Sequence, residues 1–203
     1  VTSARAQPAL VGNRLFVASD SGEVHALDPK TGCAYWSFRA EATVRTALLV
    51  APYTSPGGTG WAVFFGDLKA NAYAVDVARG QSIWIRKVDD HPYAAITGGL
   101  TFHAGRVFVP VQGLNEEVQG GRLDYECCTF RGSLAALDAN SGEVVWKTYM
   151  VGEKQLRATN KIGKPQWGPA GAGIWASPTI DARRGAVYVA TGNGYARPPQ
   201  PMA

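Results

Sequence analysis

Cysteine and histidine are scarce: the 203 residues hold three of each. His25, His91 and His103 are scattered and form no visible catalytic triad. A zinc site of the usual kind wants Cys or His ligands about two to four residues apart, and Cys127 and Cys128 are instead adjacent, with no further cluster nearby. No Cys-x-x-Cys-His stretch occurs, so no c-type haem is attached within these residues. No apolar run approaches the roughly 18 residues a membrane-spanning helix requires. The opening "VTSARAQPAL" lacks the apolar segment of a secretory signal, so any export signal is expected upstream. Strong charge is missing as well. The formal net charge is +4 and the pI about 9.0, with Lys and Arg dispersed. That is no footprint for nucleic acid, but it suits a small anionic ligand. Helical periodicity beyond a few residues is absent, and "GPAGAG" lacks the strand-turn-helix frame of a dinucleotide loop.

What the chain has is apolar mass and a repeat. It is 46% hydrophobic with 24 glycines and 12 prolines, enough for a real core. Three segments align without gaps: "ALDPKTGCAYW" (26–36), "AVDVARGQSIW" (74–84) and "ALDANSGEVVW" (136–146). Each reads Ala-x-Asp-x-x-x-Gly-x-x-x-Trp. Asp, a short polar run and Gly form a turn, the Gly free to take positive φ. β-like stretches flank each turn, so each unit reads as a hairpin or meander carrying a Trp at a fixed place. Trp36, Trp84 and Trp146 are expected to pack between neighbouring sheets. The first two motifs start 48 residues apart, near the roughly 40–50 of a propeller blade. The next interval, 62 residues, carries an insertion around "LNEEVQGGRLDYECC". A fourth unit starts at "WASPTIDARRGAVYVATGNGY" and stops before its own turn and Trp. The expected units are 9–40, 60–90, 98–150 and an incomplete 174–203. The fold class is all-β: about three and a half blades of a propeller ring, cut at one or both ends, with a complete four-bladed ring the weaker alternative. "EEVQGGRLDYE" and "GEKQLRATNKIGKPQW" read as polar loops.

The repeat resembles the tryptophan-docking motif of quinoprotein dehydrogenases, eight-bladed propellers that bind pyrroloquinoline quinone (PQQ) and usually Ca²⁺. "CCTFRGSLAALDANSGEVVWKTY" and "WGPAGAGIWASPTIDARRGAVYVATGNGY" look more narrowly like the polyvinyl-alcohol-dehydrogenase branch. The resemblance covers essentially the whole chain, yet scaffold propellers of the outer-membrane assembly type share the repeat, so activity must be argued from the site. The resemblance implies that Trp175 stacks under the quinone and that Asn193, eighteen residues on, supplies a calcium oxygen. It implies that Arg45 meets a quinone carboxylate and O5, which makes it the one catalytic candidate, and that Thr97 hydrogen-bonds the cofactor. Glu116 falls where the family has its calcium carboxylate. Asn115 matches almost as well, and the anionic oxygen favours Glu116.

Cys127 and Cys128 pose a separate question. Adjacent Cα atoms sit about 3.8 Å apart across a trans peptide, whereas ordinary disulfides want about 4.4–6.8 Å. In the better-known alcohol dehydrogenases such a pair lies on the PQQ face opposite the Trp, a few residues before the Arg equivalent to Arg45. Here those positions are Arg39 and Ala40. Two readings stay open: the insertion folds back to bring Cys127–Cys128 to the cofactor, or the pair is a structural clip. Either way a disulfide suggests an oxidising compartment, and the resemblance implies a periplasmic or secreted protein. The implied reaction is oxidation of a small or polymeric alcohol by hydride transfer to the quinone, with Ca²⁺ as Lewis acid. The implied electron acceptor is a cytochrome c or a haem c domain elsewhere. The family's base is an Asp expected beyond Ala203. The rival reading is a non-catalytic periplasmic scaffold.

Overall fold

A computed structural model describes residues 3–195, so the end of the fourth expected unit lies outside the described residues. Four-stranded antiparallel meanders dominate it. The first sheet runs β1 (Ala9–Val11), β2 (Arg14–Ala18), β3 (Glu23–Leu27) and β4 (Ala34–Arg39). The second runs β5 (Leu49–Ser55), β6 (Gly58–Gly66), β7 (Asn71–Asp76) and β8 (Ser82–Lys87). In the third, a short β9 (Ala94–Ala95) pairs with the far end of β11, while β10 (Thr101–His103), β11 (Arg106–Gly113), β12 (Ser133–Asp138) and β13 (Val144–Tyr149) make the meander. A one-turn helix α1 (Glu116–Gln119) interrupts the chain between β11 and β12. Beyond come two hairpins, β14 (Gln155–Thr159) with β15 (Pro165–Gly168), and β16 (Thr179–Asp181) with β17 (Ala186–Tyr188).

The repeated motif acts the same way in each sheet. The register slips by one residue just before the Asp, at Ala26/Leu27, Ala74/Val75 and Ala136/Leu137. The Asp side chain then caps the turn: Asp76 Oδ1 accepts from the N–H groups of Ala78 and Arg79 at 3.0 and 2.8 Å, and Asp28 and Asp138 do likewise. The turn ends on a Gly at positive φ, +69° at both Gly80 and Gly142. Those glycines are seats for the preceding sheet's Trp. Trp36 Nε1 donates to Val77 O at 2.9 Å, and a Cβ on Gly80 would lie 2.6 Å from its ring. Trp84 Nε1 donates to Ala139 O at 2.9 Å, with Gly142 under the ring at 2.5 Å by the same measure. Only a residue without a Cβ fits there.

Sheets stack through apolar faces. Phe16, Val24, Val63, Phe65 and Tyr73 fill the space between the first two sheets. Phe64, Trp84, Ile96, Val107, Val109 and Leu137 fill that between the second and third. The outer face of the third, with Phe108, Leu134 and Ile174, receives Ile180 and Val187 of the last hairpin.

Two stretches differ from the loops expected. Residues 155–168 form a paired hairpin turned at Asn160–Gly163, where Asn160 Oδ1 accepts from the N–H groups of Ile162 and Lys164. Glu116–Gln119 is helical, opened by Asn115 at φ 72°. Short turns held by side-chain contacts leave no periodicity in a sequence.

Candidate functional site

Three of the residues singled out by sequence occupy one register position on successive sheets. Arg45 stands four residues before Leu49 of β5, Thr97 four before Thr101 of β10, and Trp175 four before Thr179 of β16. The three lead-in segments touch. A Cβ on Gly99 would lie 3.2 Å from Ala47 Cβ and 2.5 Å from Ser177 Oγ, and one on Gly98 would lie 2.9 Å from the Trp175 carbonyl oxygen. The fold therefore brings Arg45, Thr97 and Trp175 to neighbouring strand starts on one end of the stack.

Trp175 is 50% exposed, unlike Trp84 at 8%. Its indole nitrogen lies against Gly192, where a Cβ would come within 2.7 Å. The next residue is Asn193. The Thr97 hydroxyl is buried without a hydrogen-bond partner among the described residues. A buried polar group left unpaired costs free energy, so this oxygen suits a partner the protein chain does not supply. Arg45 is one-third exposed, and its Nε lies 3.5 Å from Asp20 Oδ1. That distance gives charge attraction, yet neither atom is aligned for a hydrogen bond. The cation thus has the partner its apolar setting demands, and remains open to another.

Glu116 and Glu117 are placed quite differently. Glu116 is fully buried. Its Oε1 accepts from Thr129 N at 2.7 Å, Tyr125 Oη at 3.2 Å and Thr129 Oγ1 at 3.3 Å, and its Oε2 from Phe130 N at 2.9 Å. Its lone pairs are committed to the cysteine-bearing loop. Glu117 Oε1 instead meets Asn193 Nδ2 at 2.8 Å on the exposed side. The amide's oxygen and nitrogen are interchangeable by rotation, so carboxylate and amide oxygens can both face one hard cation. Burial first, then the charges of Glu117 and Glu116, pushes the Tyr195 hydroxyl up to about 12, so it stays protonated and donates to Gly113 O at 3.1 Å.

A disulfide joins Cys127 and Cys128. The sulfurs lie beneath the end of α1: a Cβ on Gly120 would be 2.5 Å from Cys127 Sγ and 3.1 Å from Cys128 Sγ. Ala170, Tyr125 and Tyr195 cover them further, leaving the residues 8% and 0% exposed.

Beside this loop is a polar cavity of about 190 Å³ lined by Asp89, His91, Thr129, Arg131, Tyr149, Glu153 and Lys154. His91 Nδ1 accepts from Tyr93 N at 3.3 Å, which leaves the proton on Nε2, 2.9 Å from Thr129 Oγ1. Glu116 Oε1 is 3.7 Å from the same nitrogen. Burial holds the His91 pKa below the usual imidazole value, against the pull of Glu116 and Asp89.

The structure therefore sets the lead-ins of Arg45, Thr97 and Trp175 side by side, with Gly192, next to Asn193, against the Trp175 ring. It sets Glu116 behind them as an anchor and places the cysteine pair under α1. Sequence reasoning did not single out Glu117, Asp20 or His91. Among the described residues no group of three or more His, Cys, Asp or Glu side chains is placed to hold a metal alone, so a cation at Glu117 and Asn193 would draw further oxygens from a bound ligand or water.

The PQQ_2 family model, described as outer membrane protein assembly factor BamB, matches residues 1–197. A polyvinylalcohol dehydrogenase of Pseudomonas sp is 45% identical over 194 residues, covering 95% of this chain and 30% of that protein. One from Sphingopyxis sp. (strain 113P3) is 41% identical over 197 residues, with coverage of 95% and 30%. The quinohemoprotein alcohol dehydrogenase of Comamonas testosteroni is 26% identical over 206 residues, covering 93% of this chain and 27% of that one. The crystal structure of the Comamonas testosteroni quinohemoprotein alcohol dehydrogenase superposes with a TM-score of 0.66 at 22% identity, over 96% of this chain and 30% of that one, a likeness of fold. The chain spans about 30% of the length of the two polyvinylalcohol dehydrogenases.

Proposed function

From the premise that this chain belongs to the PQQ_2 family of propellers, we propose that it forms part of a PQQ- and Ca²⁺-dependent dehydrogenase that oxidises alcohols, in the manner named for its polyvinylalcohol dehydrogenase relatives. One observation supports this reading: the lead-ins that carry a half-exposed indole, a buried hydroxyl lacking a partner and a partly satisfied guanidinium lie against one another, with a carboxylate–amide pair beginning one residue beyond the glycine that packs on the indole. Such a set offers a flat apolar face, donors for carboxylates and oxygens for a hard cation.

Each residue has a physical part. Trp175 lays its exposed face against the planar cofactor and keeps water from it. Thr97 Oγ1 hydrogen-bonds the ligand, which relieves its buried, unpaired state. Arg45 turns its free N–H groups to a carboxylate or carbonyl oxygen, its charge held in place by Asp20. Glu117 and Asn193 hold Ca²⁺. Glu116 fixes α1 by accepting from the backbone of Thr129 and Phe130. Cys127–Cys128 wedges beneath α1, and so acts on the metal pair through the helix rather than as an open face. Held by these residues, PQQ would supply a hydride acceptor and Ca²⁺ a Lewis acid. The protein works in the periplasm and passes electrons to a cytochrome c.

A second reading, a non-catalytic scaffold, has the family model's description in its favour. The experiment that separates them is reconstitution of the full-length protein with PQQ and Ca²⁺. The dehydrogenase reading predicts bound-quinone absorbance and dye reduction by simple alcohols or polyvinyl alcohol. Absence of PQQ binding at micromolar cofactor selects the scaffold.

A further inference from the structure

The register position held by Arg45, Thr97 and Trp175 also exists on the first sheet. Four residues before Ala9 of β1 stands Arg5. Its local sequence, Arg5-Ala6-Gln7-Pro8, keeps the Ala and Pro of Trp175-Ala176-Ser177-Pro178. Leu48 N donates to Gln7 O at 3.3 Å, which sets this lead-in beside that of β5. Arg5 is therefore the fourth member of one row of equivalent positions.

It is tied to Arg45 through a shared carboxylate. Asp20 Oδ2 lies 3.3 Å from Arg5 Nε, and Asp20 Oδ1 lies 3.5 Å from Arg45 Nε. The Asp20 backbone is fixed on both sides, its N–H donating to Ser3 O at 2.8 Å and its carbonyl accepting from Thr43 Oγ1 at 2.7 Å. Ser3 Oγ also donates to the carboxylate. That hydrogen bond, then Arg5 and Arg45, holds the Asp20 pKa below the usual carboxylate range. Two guanidinium groups thus share one carboxylate, and among the described residues neither has another acidic partner. The cluster keeps a net positive charge, with Arg5 61% exposed.

We propose that Arg5 is a second ligand-contacting cation, which takes a further carboxylate of an anionic planar cofactor, and that Asp20 is the residue that positions Arg5 and Arg45 together. This rests on the PQQ reading above. The competing account makes the trio a structural ion-pair cluster that pins the first lead-in to the second sheet. The ligand account predicts a change in binding; the structural account predicts a change in stability alone.

The test is PQQ titration of the full-length protein in saturating Ca²⁺, followed by tryptophan quenching at several NaCl concentrations, with melting temperature measured in parallel. Arg5→Gln is expected to raise Kd about tenfold, the loss of a charge-assisted hydrogen bond, and to make Kd less sensitive to salt. Arg5→Lys should recover part of the loss, and the exposed control Arg184→Gln none. Asp20→Asn separates positioning from charge: simple electrostatics predicts tighter binding when the anion is removed, whereas a positioning role predicts weaker binding. Wild-type binding with Arg5→Gln indistinguishable from Arg184→Gln overturns the proposal, and tighter binding by Asp20→Asn overturns the role given to Asp20. No PQQ binding by the wild type would instead remove the reading beneath it.

Discussion

Two neighbouring glutamates divide the work at the end of β11. In a helical turn consecutive side chains diverge by about 100°. Glu116 points into the cysteine loop, where two backbone N–H groups and two hydroxyls receive it, and Glu117 points to Asn193. Hydrogen bonds to a charged group contribute about 1.5–3 kcal/mol each when the partner is left unsatisfied. Glu116→Gln keeps one acceptor and loses the charge, so it should destabilise the fold by about 2 kcal/mol in urea unfolding. Glu117→Gln should leave urea stability unchanged within about 0.5 kcal/mol while it weakens Ca²⁺ binding about tenfold or more, read by Ca²⁺ titration in the presence of PQQ. The reverse pattern would return the metal to Glu116. The sequence reading weighs Glu116 against Asn115 and does not reach Glu117. The amide groups of Thr129 and Phe130 occupy Glu116, and nothing in the local pattern announces that contact.

At the scale of the element, the turn glycines should differ in how much substitution costs. Gly32 and Gly142 both sit at positive φ, +74° and +69°. Space around the missing Cβ is open at Gly32, while at Gly142 it is filled by the Trp84 ring. Ala at Gly32 should therefore cost only the left-handed strain, about 1–2 kcal/mol. Ala at Gly142 adds overpacking, for a total of about 2–4 kcal/mol. Equal costs would mean that the Trp seat yields freely. A second element-scale prediction concerns the loop leading to β9. His91 carries a folded-state pKa below its ordinary 6.5, because burial disfavours the imidazolium. Glu116, Asp89 and Lys154 are the charged groups around it, and the two acids oppose the shift. With the folded value depressed, the unfolded chain binds the proton first as pH falls. The stability is complete above about pH 6.5 and declines below it, levelling once the folded-state pKa is passed. Urea midpoints between pH 7.5 and 5 should fall for the wild type, and His91→Gln should flatten that part of the profile. An unchanged profile would show that the burial of His91 does not govern it. The meanders were legible because an in-phase repeat fixes turn, bulge and Trp together. The β14–β15 hairpin was not, since its strands are exposed along Gln155–Thr159 and carry no apolar alternation.

Across the whole molecule the sheets are linked by one device, each Trp seated on the next sheet's turn glycine. It is complete for Trp36 and Trp84. Trp146 is 37% exposed, and Val144, Val145 and Tyr149 beside it are exposed as well, an apolar face of the kind a further sheet of the same design would cover. The same stacking delivers one lead-in position from each sheet to a common end, so residues far apart in sequence sit on neighbouring segments because their strands start in register. Arg45, Thr97, Trp175 and Asn193 are proposed from the order the family resemblance supplies, and the structure shows the lead-ins of the first three side by side. Arg5 shows itself only by its place four residues before β1, Asp20 only by its ion pairs, and Glu117 only by its contact with Asn193. The most direct measurement is PQQ affinity of the full-length protein carrying Trp175→Ala, set against Trp84→Phe. Stacking on an exposed indole predicts at least a tenfold rise in Kd for the first, about 1.4 kcal/mol, and less than twofold for the second. Equal effects of the two substitutions, or none from Trp175→Ala in a protein that still binds PQQ, would contradict the account.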